Sequence, residues 1–553
     1  MPSITLFYIL ATSALICTIL VPYVARMSVH IGVLDKPGER KIHQQATPRL
    51  GGIAIFSSLL FSIIFFCPID QHIKGLLAGA IIIFLTGLAD DLANLSPRQK
   101  FAGEFLAAGL AVFMGDICVR HLGNPFGMGI IELGPLAIPF TIIGIVGLIN
   151  AINMLDGLDG QAGGVCAIIC VTFAIVAFFS GNDNLLVLAV ALLGTLLGFL
   201  RYNHHPAIIF MGDSGSLLVG YCMGVFSVML ATGGARPVSP YIPLMVLWVP
   251  ILDTLVVMFN RWRAGKRLFS PDKSHLHHRL LDLGIGHRST VMVIYGLSYL
   301  LCLLAIAGLK LTDSVLLALL LMISLTVYGG LKYLTRSGRG ERLGFSSEAS
   351  LHIISRYIRV LAHRSAFLTV AIKYLILAVL LLPVFISHDD IHALSLFPLF
   401  ILIISVYLYF SRHTWNNLLL QGSIYIAGAF MLLVTENYGR DHALFGVPLQ
   451  VVSHLIFLIL LALVGIKVLI RRRLSLLIVS RLEYLIMLIV LTVPLLPQSV
   501  SGPLHLLTVS AKSVILFVGF KLVVMRQIRR NRKIILAIVV STLVLVLRSV
   551  LEL

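Results

Sequence analysis

Apolar runs long enough to cross a bilayer recur from one end of this chain to the other, and that repetition leaves few folds open. A spanning helix needs about twenty predominantly apolar residues, because the hydrocarbon core holds no water to satisfy exposed backbone groups. With 58% of its 553 residues apolar, only 12% charged and a mean hydropathy of +1.00, the chain is expected to be an all-α polytopic membrane protein. About eleven spans are expected up to Thr335, near residues 4–25, 50–67, 74–89, 101–115, 135–155, 162–180, 184–200, 210–231, 240–260, 289–309 and 313–335. A basic connector at 336–365 follows, with about seven further spans over 366–553.

The net charge of +18 would suggest nucleic acid if it formed one soluble patch, but the basic residues sit in short connections between spans. With the N-terminus outside, the outer connections of the first part carry only Lys74, Arg120, Arg236 and Lys310, and the rest of its basic residues fall inside. That asymmetry predicts topology by the positive-inside rule. The seven cysteines lie mostly in apolar stretches without metal-type spacing and read as packing residues. The first span has no basic leader and no convincing cleavage site, and is expected to be retained.

Five polar clusters interrupt the apolar pattern: Thr47 to Gly52, Asp90 to Lys100, Asn150 to Gly160, Asn203 to Ser216 and Ser274 to Arg279. On the expected topology all five face the cytoplasm. Asp90 and Asp91 end the third span, and Asn150, Asn153, Asp156 and Asp159 end the fifth. The dipole at a helix C-terminus favours a cation there, and carboxylates and amides are oxygen donors for a divalent ion. Positions three apart drift only about 60° around a helix, so Asn150, Asn153 and Asp156 share a broad face. Taken singly, such groups read equally well as solvated helix ends. Asp213 stands between Gly212 and Gly215, where backbone can approach a ligand and a helix start can aim N–H groups at phosphate. His275, His277 and His278 sit in a basic loop and suit phosphate better than zinc, because no second spaced ligand pair accompanies them. His287 lies in the same loop outside that cluster, and His287→Ala is expected to do little to turnover, whereas His278→Ala should cut it strongly.

In this order and spacing the clusters resemble the polyprenyl-phosphate N-acetylhexosamine-1-phosphate transferase family over residues 1 to about 335. The resemblance implies attack of an undecaprenyl phosphate oxygen on the β-phosphorus of a UDP-sugar, releasing UMP, as the first step of a cell-surface polysaccharide pathway. It implies Mg²⁺, or Mn²⁺, held by Asp213 with Asp90 and Asp91 at the metal or at the attacking phosphate. Asn153, Asp156, Asp159, Asn203 and Phe210 match positions lining the uridine and diphosphate pocket, and Asn150 and Arg279 belong to the same substrate-binding clusters. Lys100 or Arg98 matches a basic position after the acidic pair, and His275, His277 and His278 match the histidine motif. The lipid phosphate is already anionic, so Asp90 can serve in positioning as much as in deprotonation. The expected partners are a UDP-N-acetylhexosamine, a polyprenyl phosphate and membrane lipid, with a homodimer left open and no nucleic acid. The expected location is the inner membrane, with the active site facing the cytoplasm.

The muramoyl-pentapeptide branch usually has a basic residue before its Thr-Pro segment and an uninterrupted histidine triplet. This chain has Gln44-Gln-Ala-Thr-Pro-Arg49 and His275-Leu-His-His278, so UDP-N-acetylglucosamine is favoured. A rival of another class is a transporter of lipid-linked sugar, but transporters place broken helices at the midplane rather than polar clusters at one face. Residues 366–553 carry no motif that assigns them a role. Lys373, Glu483, Lys512 and Lys521 fall in its apolar runs, as snorkelling side chains or as functional groups.

Overall fold

The computed structural model describes residues 3–35, 46–265, 275–336, 355–386, 396–410, 416–471, 481–493, 505–524 and 532–551. Ser274 and most of the connector expected at 336–365 lie outside these residues. The protein is all-α; among the described residues, strands are confined to two pairs of two residues each. Among the described residues, eleven helices are long and apolar enough to cross a membrane, which makes this an integral membrane protein. Two compact units are present. The first comprises residues 9–336 with Arg481–Leu485; the second comprises residues 355–480 and 486–551 with the start of the first helix up to Tyr8.

In the first unit, α1 (Ser3–Ile31) leads through β1 (Leu34–Asp35) and β2 (Thr47–Pro48), an antiparallel pair, into α2 (Gly51–Phe66). Then come α3 (Gln71–Ala93), α4 (Pro97–Gly115), α5 (Ala137–Leu155), α6 (Gln161–Ser180), α7 (Asp183–Asn203) and α8 (Gly212–Thr232). Local sequence sets several of these boundaries. Asp70 caps α3 by accepting from the Ile73 N–H at 2.9 Å. Asn94 ends it in the left-handed region at φ 51°, and Ser96 with Gln99 makes a capping box for α4 around Pro97. Helices α6, α7 and α8 are buried along most of their length and form the centre of the unit. Polar groups inside the spans are satisfied across helix pairs: Ser58 to Thr195 at 3.2 Å, Tyr221 to the Leu76 carbonyl at 3.1 Å, and Tyr202 to the Thr18 carbonyl at 3.0 Å.

The span expected over 240–260 is not one helix. It is α9 (Tyr241–Val246) and α10 (Trp248–Arg263), separated at Leu247. Pro250 has no N–H for the Val246 carbonyl and its ring crowds that carbonyl, so the helix restarts there. A short α11 (Leu276–Asp282), α12 (His287–Ala307) and α13 (Asp313–Arg336) complete the unit. The second unit holds the helices Ser355–Leu381, Leu396–Phe410, Asn416–Tyr438, Leu449–Arg471, Leu506–Val524 and Arg532–Leu551.

Candidate active site

The first cluster takes its place by backbone pairing with the fourth. Phe210 donates its N–H to the Pro48 carbonyl at 2.8 Å, and Gly51 and Gly52 donate theirs to the Phe210 and Met211 carbonyls at 3.1 and 2.8 Å. This lays Arg49 beside the start of α8. Gly212 sits there at φ +71°, and a Cβ would stand 2.1 Å from the Arg49 carbonyl oxygen. Only glycine fits a position that is both left-handed and in backbone contact.

The start of α8 has no cap from its own segment and receives one from α3. Asp91 Oδ1 accepts the Asp213 N–H at 2.9 Å, and Oδ2 accepts the Ser214 N–H at 2.9 Å and the Ser214 hydroxyl at 2.7 Å. Arg49 Nη2 adds a contact to Asp91 Oδ1 at 3.3 Å, and the Asp91 side chain is wholly buried. This corrects two expectations. The first N–H groups of α8 are taken by a carboxylate rather than aimed at a phosphate, and Asp91 is a buried clamp with both oxygens used instead of a free metal ligand.

Asp213 itself turns outward. Its Oδ1 accepts from Lys100 Nζ at 2.8 Å and from the Asn153 amide at 2.7 Å, and its Oδ2 accepts from Arg49 Nη2 at 3.1 Å. Lys100 also reaches Asp90 Oδ2 at 3.1 Å, so one ammonium bridges the two carboxylates. The other Asp90 oxygen accepts the Leu95 N–H at 2.7 Å. Arg98, the alternative basic position, is exposed. Asp213 and Asp90, bridged by Lys100, offer carboxylate oxygens of the kind that fits a hard divalent cation.

Asp213 lines a cavity of about 460 Å³ together with Asn153, Asp156, Asp159, Asn203, Phe210, His277 and His278. Asn203 shapes its wall: Oδ1 accepts the Gly160 N–H at 3.0 Å and the amide donates to the Ile209 carbonyl at 2.9 Å. Burial, helped by the charges of Asp213 and Asp159, pushes the Asp156 carboxyl up to about 7. His277 is lowered to about 3, first by burial and then by His278, so its imidazole is neutral at physiological pH. Its Nδ1 is buried with no hydrogen-bond partner among the described residues, as a ring waiting for a ligand would be. Gly157 lies against that ring; a Cβ there would stand 2.6 Å from Nε2.

Six predicted residues do not line this cavity: Asp90, Asp91 and Lys100 belong to the charge cluster around Asp213, and His275, Asn150 and Arg279 are held elsewhere. His275 is held by Asp253 on α10, with Nδ1 to Oδ2 at 2.9 Å, and the Leu276 N–H binds the other oxygen at 2.7 Å. The pair anchors the histidine segment. Asn150 donates to Glu104 Oε2 at 2.5 Å, and Arg279 stacks 5.6 Å over the Tyr328 ring. Conversely, Arg49, Asp35 and His205 line the cavity without having been singled out, and so does His287, which the sequence sets outside the histidine cluster. Arg49 could have been found within its cluster, whereas His205 and His287 meet only through packing of distant segments.

A second, almost wholly apolar groove of about 620 Å³ runs along α4, α5, α9 and α10, lined by Phe105, Phe140, Ile143, Leu247 and Leu255 among others. Gly144 and Gly147 form part of it and face open space. It also includes Asn150 and Met154, so it runs alongside the helix that carries Asn153 to the polar cavity.

The profile of glycosyl transferase family 4 matches residues 73–231, the stretch that holds both acidic helix ends and Asp213. The chain is 36% identical over 295 residues to a Bacillus subtilis protein named "Probable undecaprenyl-phosphate N-acetylglucosaminyl 1-phosphate transferase", covering 53% of this chain and 82% of that one. It is 37% identical to the decaprenyl-phosphate N-acetylglucosaminephosphotransferase of Mycolicibacterium smegmatis, over 51% of this chain and 77% of the relative. With the undecaprenyl-phosphate alpha-N-acetylglucosaminyl 1-phosphate transferase of Yersinia pestis it shares 30% identity, over 56% of this chain and 86% of the relative. The chain belongs to glycosyl transferase family 4, a family of membrane-embedded transferases of phosphosugars.

Proposed function

We propose that the protein transfers N-acetylglucosamine-1-phosphate from UDP-N-acetylglucosamine to undecaprenyl phosphate or a related polyprenyl phosphate, giving a lipid diphospho-sugar and UMP. The observation that carries this reading is the setting of Asp213. A carboxylate held by Lys100, Arg49 and Asn153 opens on a polar cavity, and an apolar groove runs along the neighbouring face of α5. A nucleoside diphosphate suits the first and a polyprenyl tail the second.

Asp213 and Asp90 would hold Mg²⁺, which would supply positive charge to the diphosphate as the bond to UMP breaks. Lys100 and Arg49 offset the repulsion between two phosphates brought together, and the bridging position of Lys100 suits it to pass from Asp213 to the acceptor phosphate. Asp156, Asp159 and Phe210 face the nucleotide, and neutral His277 offers Nδ1 to an oxygen of the donor. No strong base is required, because the acceptor oxygen already carries charge. The Lys and Arg asymmetry supports a cavity opening to the cytoplasm from the inner membrane.

The test is purified protein with undecaprenyl phosphate, Mg²⁺ and a panel of UDP-sugars, followed by UMP release and the mass of the lipid product. UDP-N-acetylglucosamine should be the best donor. Absence of UMP with every sugar would refute the reading.

A further inference from the structure

We propose that Asp159, His205 and His287 form a second cation site, chemically distinct from the Asp213 centre, that takes a borderline transition-metal ion of the Zn²⁺ class. The three come from separate segments: the turn between α5 and α6, the stretch after α7, and the first residue of α12. One donor atom from each lies within 4.8 Å of the others, and among the described residues this is the only such group of histidine, cysteine and carboxylate side chains. His205 Nδ1 stands 2.6 Å from Asp159 Oδ2, and the His205 and His287 rings lie 4.7 Å apart, inclined at 37°.

The donor set decides the class of ion. Two imidazoles and one carboxylate suit zinc and its neighbours, whereas the Asp213 centre offers oxygens alone and suits magnesium. Ligands of a tetrahedral zinc ion at ordinary bond lengths are about 3.3 Å apart. Rotation of the half-exposed His205 ring about its own side-chain bonds covers the difference. The Ala207 N–H donates to Asp159 Oδ2 at 3.2 Å and so orients the carboxylate, as second-layer donors do around metals. A hydrogen bond between Asp159 and His205 would by itself need no third member. The arrival of His287 from a distant segment, with its ring against His205, brings a second imidazole to the same carboxylate.

All three residues line the 460 Å³ cavity, so three protein ligands leave a fourth position facing its interior. An ion there fastens three segments of the wall and places a Lewis acid where a diphosphate would pass. An ion there is therefore expected to attract an anionic donor into the cavity. The binding step itself does not depend on the transferase reading.

The experiment uses the full chain in detergent, stripped of metal and free of nucleotide. Zn²⁺ is titrated by calorimetry, and Co²⁺ is added as a spectroscopic stand-in. One ion should bind per chain at this site, apart from any taken by the Asp213 centre, with affinity weakened about tenfold or more in His205→Ala and in His287→Ala and retained in Asp213→Asn and His278→Ala. Thermal unfolding in chelator establishes that each variant is folded. If His287→Ala is not, nitrogen ligation of Co²⁺ in the unaltered protein decides: two imidazoles support the site and none overturns it. No binding at millimolar Zn²⁺, binding indifferent to both histidine variants, or binding that depends on Asp213 or His278 instead overturns it as well.

Discussion

Asp91 holds the backbone N–H of Asp213 at 2.9 Å, so one acidic residue positions another that points the opposite way. The two carboxylates should therefore fail differently when neutralised. Asp213→Asn is expected to abolish turnover with little change in thermal unfolding. Asp91→Asn removes a buried, charged cap and should cost about 2 kcal/mol of stability, with turnover lost in proportion to folded protein. Unfolding curves in detergent, set beside turnover per folded molecule, make the comparison. A destabilised Asp213→Asn with a stable Asp91→Asn would reverse the assignment.

Turnover should require Mg²⁺ or Mn²⁺, since Asp213 and Asp90 present carboxylate oxygens, which suit a hard divalent ion. Excess chelator should bring UMP release to background, and added Mg²⁺ should restore it. Full activity in chelator would exclude the divalent ion from the reaction.

The apolar groove should matter to one substrate only. A Cβ at Gly147 would meet nothing within 4 Å, so Gly147→Trp projects a bulky ring from a position with open space beside the groove. The KM for the polyprenyl acceptor should rise tenfold or more while UDP-sugar affinity, measured by calorimetry, stays unchanged. An equal loss for both substrates would place the acceptor tail elsewhere.

His277 gives stability a pH dependence. Its folded value of about 3 lies below the ordinary 6.5 of the unfolded chain, so the unfolded state binds the extra proton first. The contribution is present above pH 6.5 and is lost as pH falls toward 3. The fall in Tm between pH 7.5 and pH 5 should shrink in His277→Gln. An unchanged slope would mean that the ring is charged or solvated in the folded protein.

A chain ending near Arg364 is expected to retain sugar-phosphate transfer, because every residue placed at the two cavities precedes it. Turnover should be compared per folded molecule, because removal of the second unit can lower yield. A truncated form that folds and binds UDP-sugar yet releases no UMP would show that later residues help to build the site.

The apolar runs made most helices legible because burial in lipid imposes one requirement on every span, and the polar interruptions marked the ends that converge on Asp213. Direction was harder to read. Neighbouring positions on a helix point about 100° apart, so Asp90 faces Lys100 while Asp91 faces the start of α8, and the sequence treats them as equals. Pro243 and Pro250 were visible signals for the break at Leu247, yet the apolar run around them reads as one span. His205 and His287 are distant along the chain and meet through tertiary packing, which no local pattern encodes.

The ring of charge around Asp213 also bears on the order in which ligands enter. Asp90, Asp91 and Asp213 face Lys100 and Arg49, which leaves a single net negative charge across five interlocked groups. A nucleotide diphosphate arriving first meets that surplus and is repelled. A divalent cation reverses its sign, and the same pocket then attracts the anion. Ordered addition, metal ahead of nucleotide, follows from this electrostatic arrangement of the protein's own side chains without any moving gate.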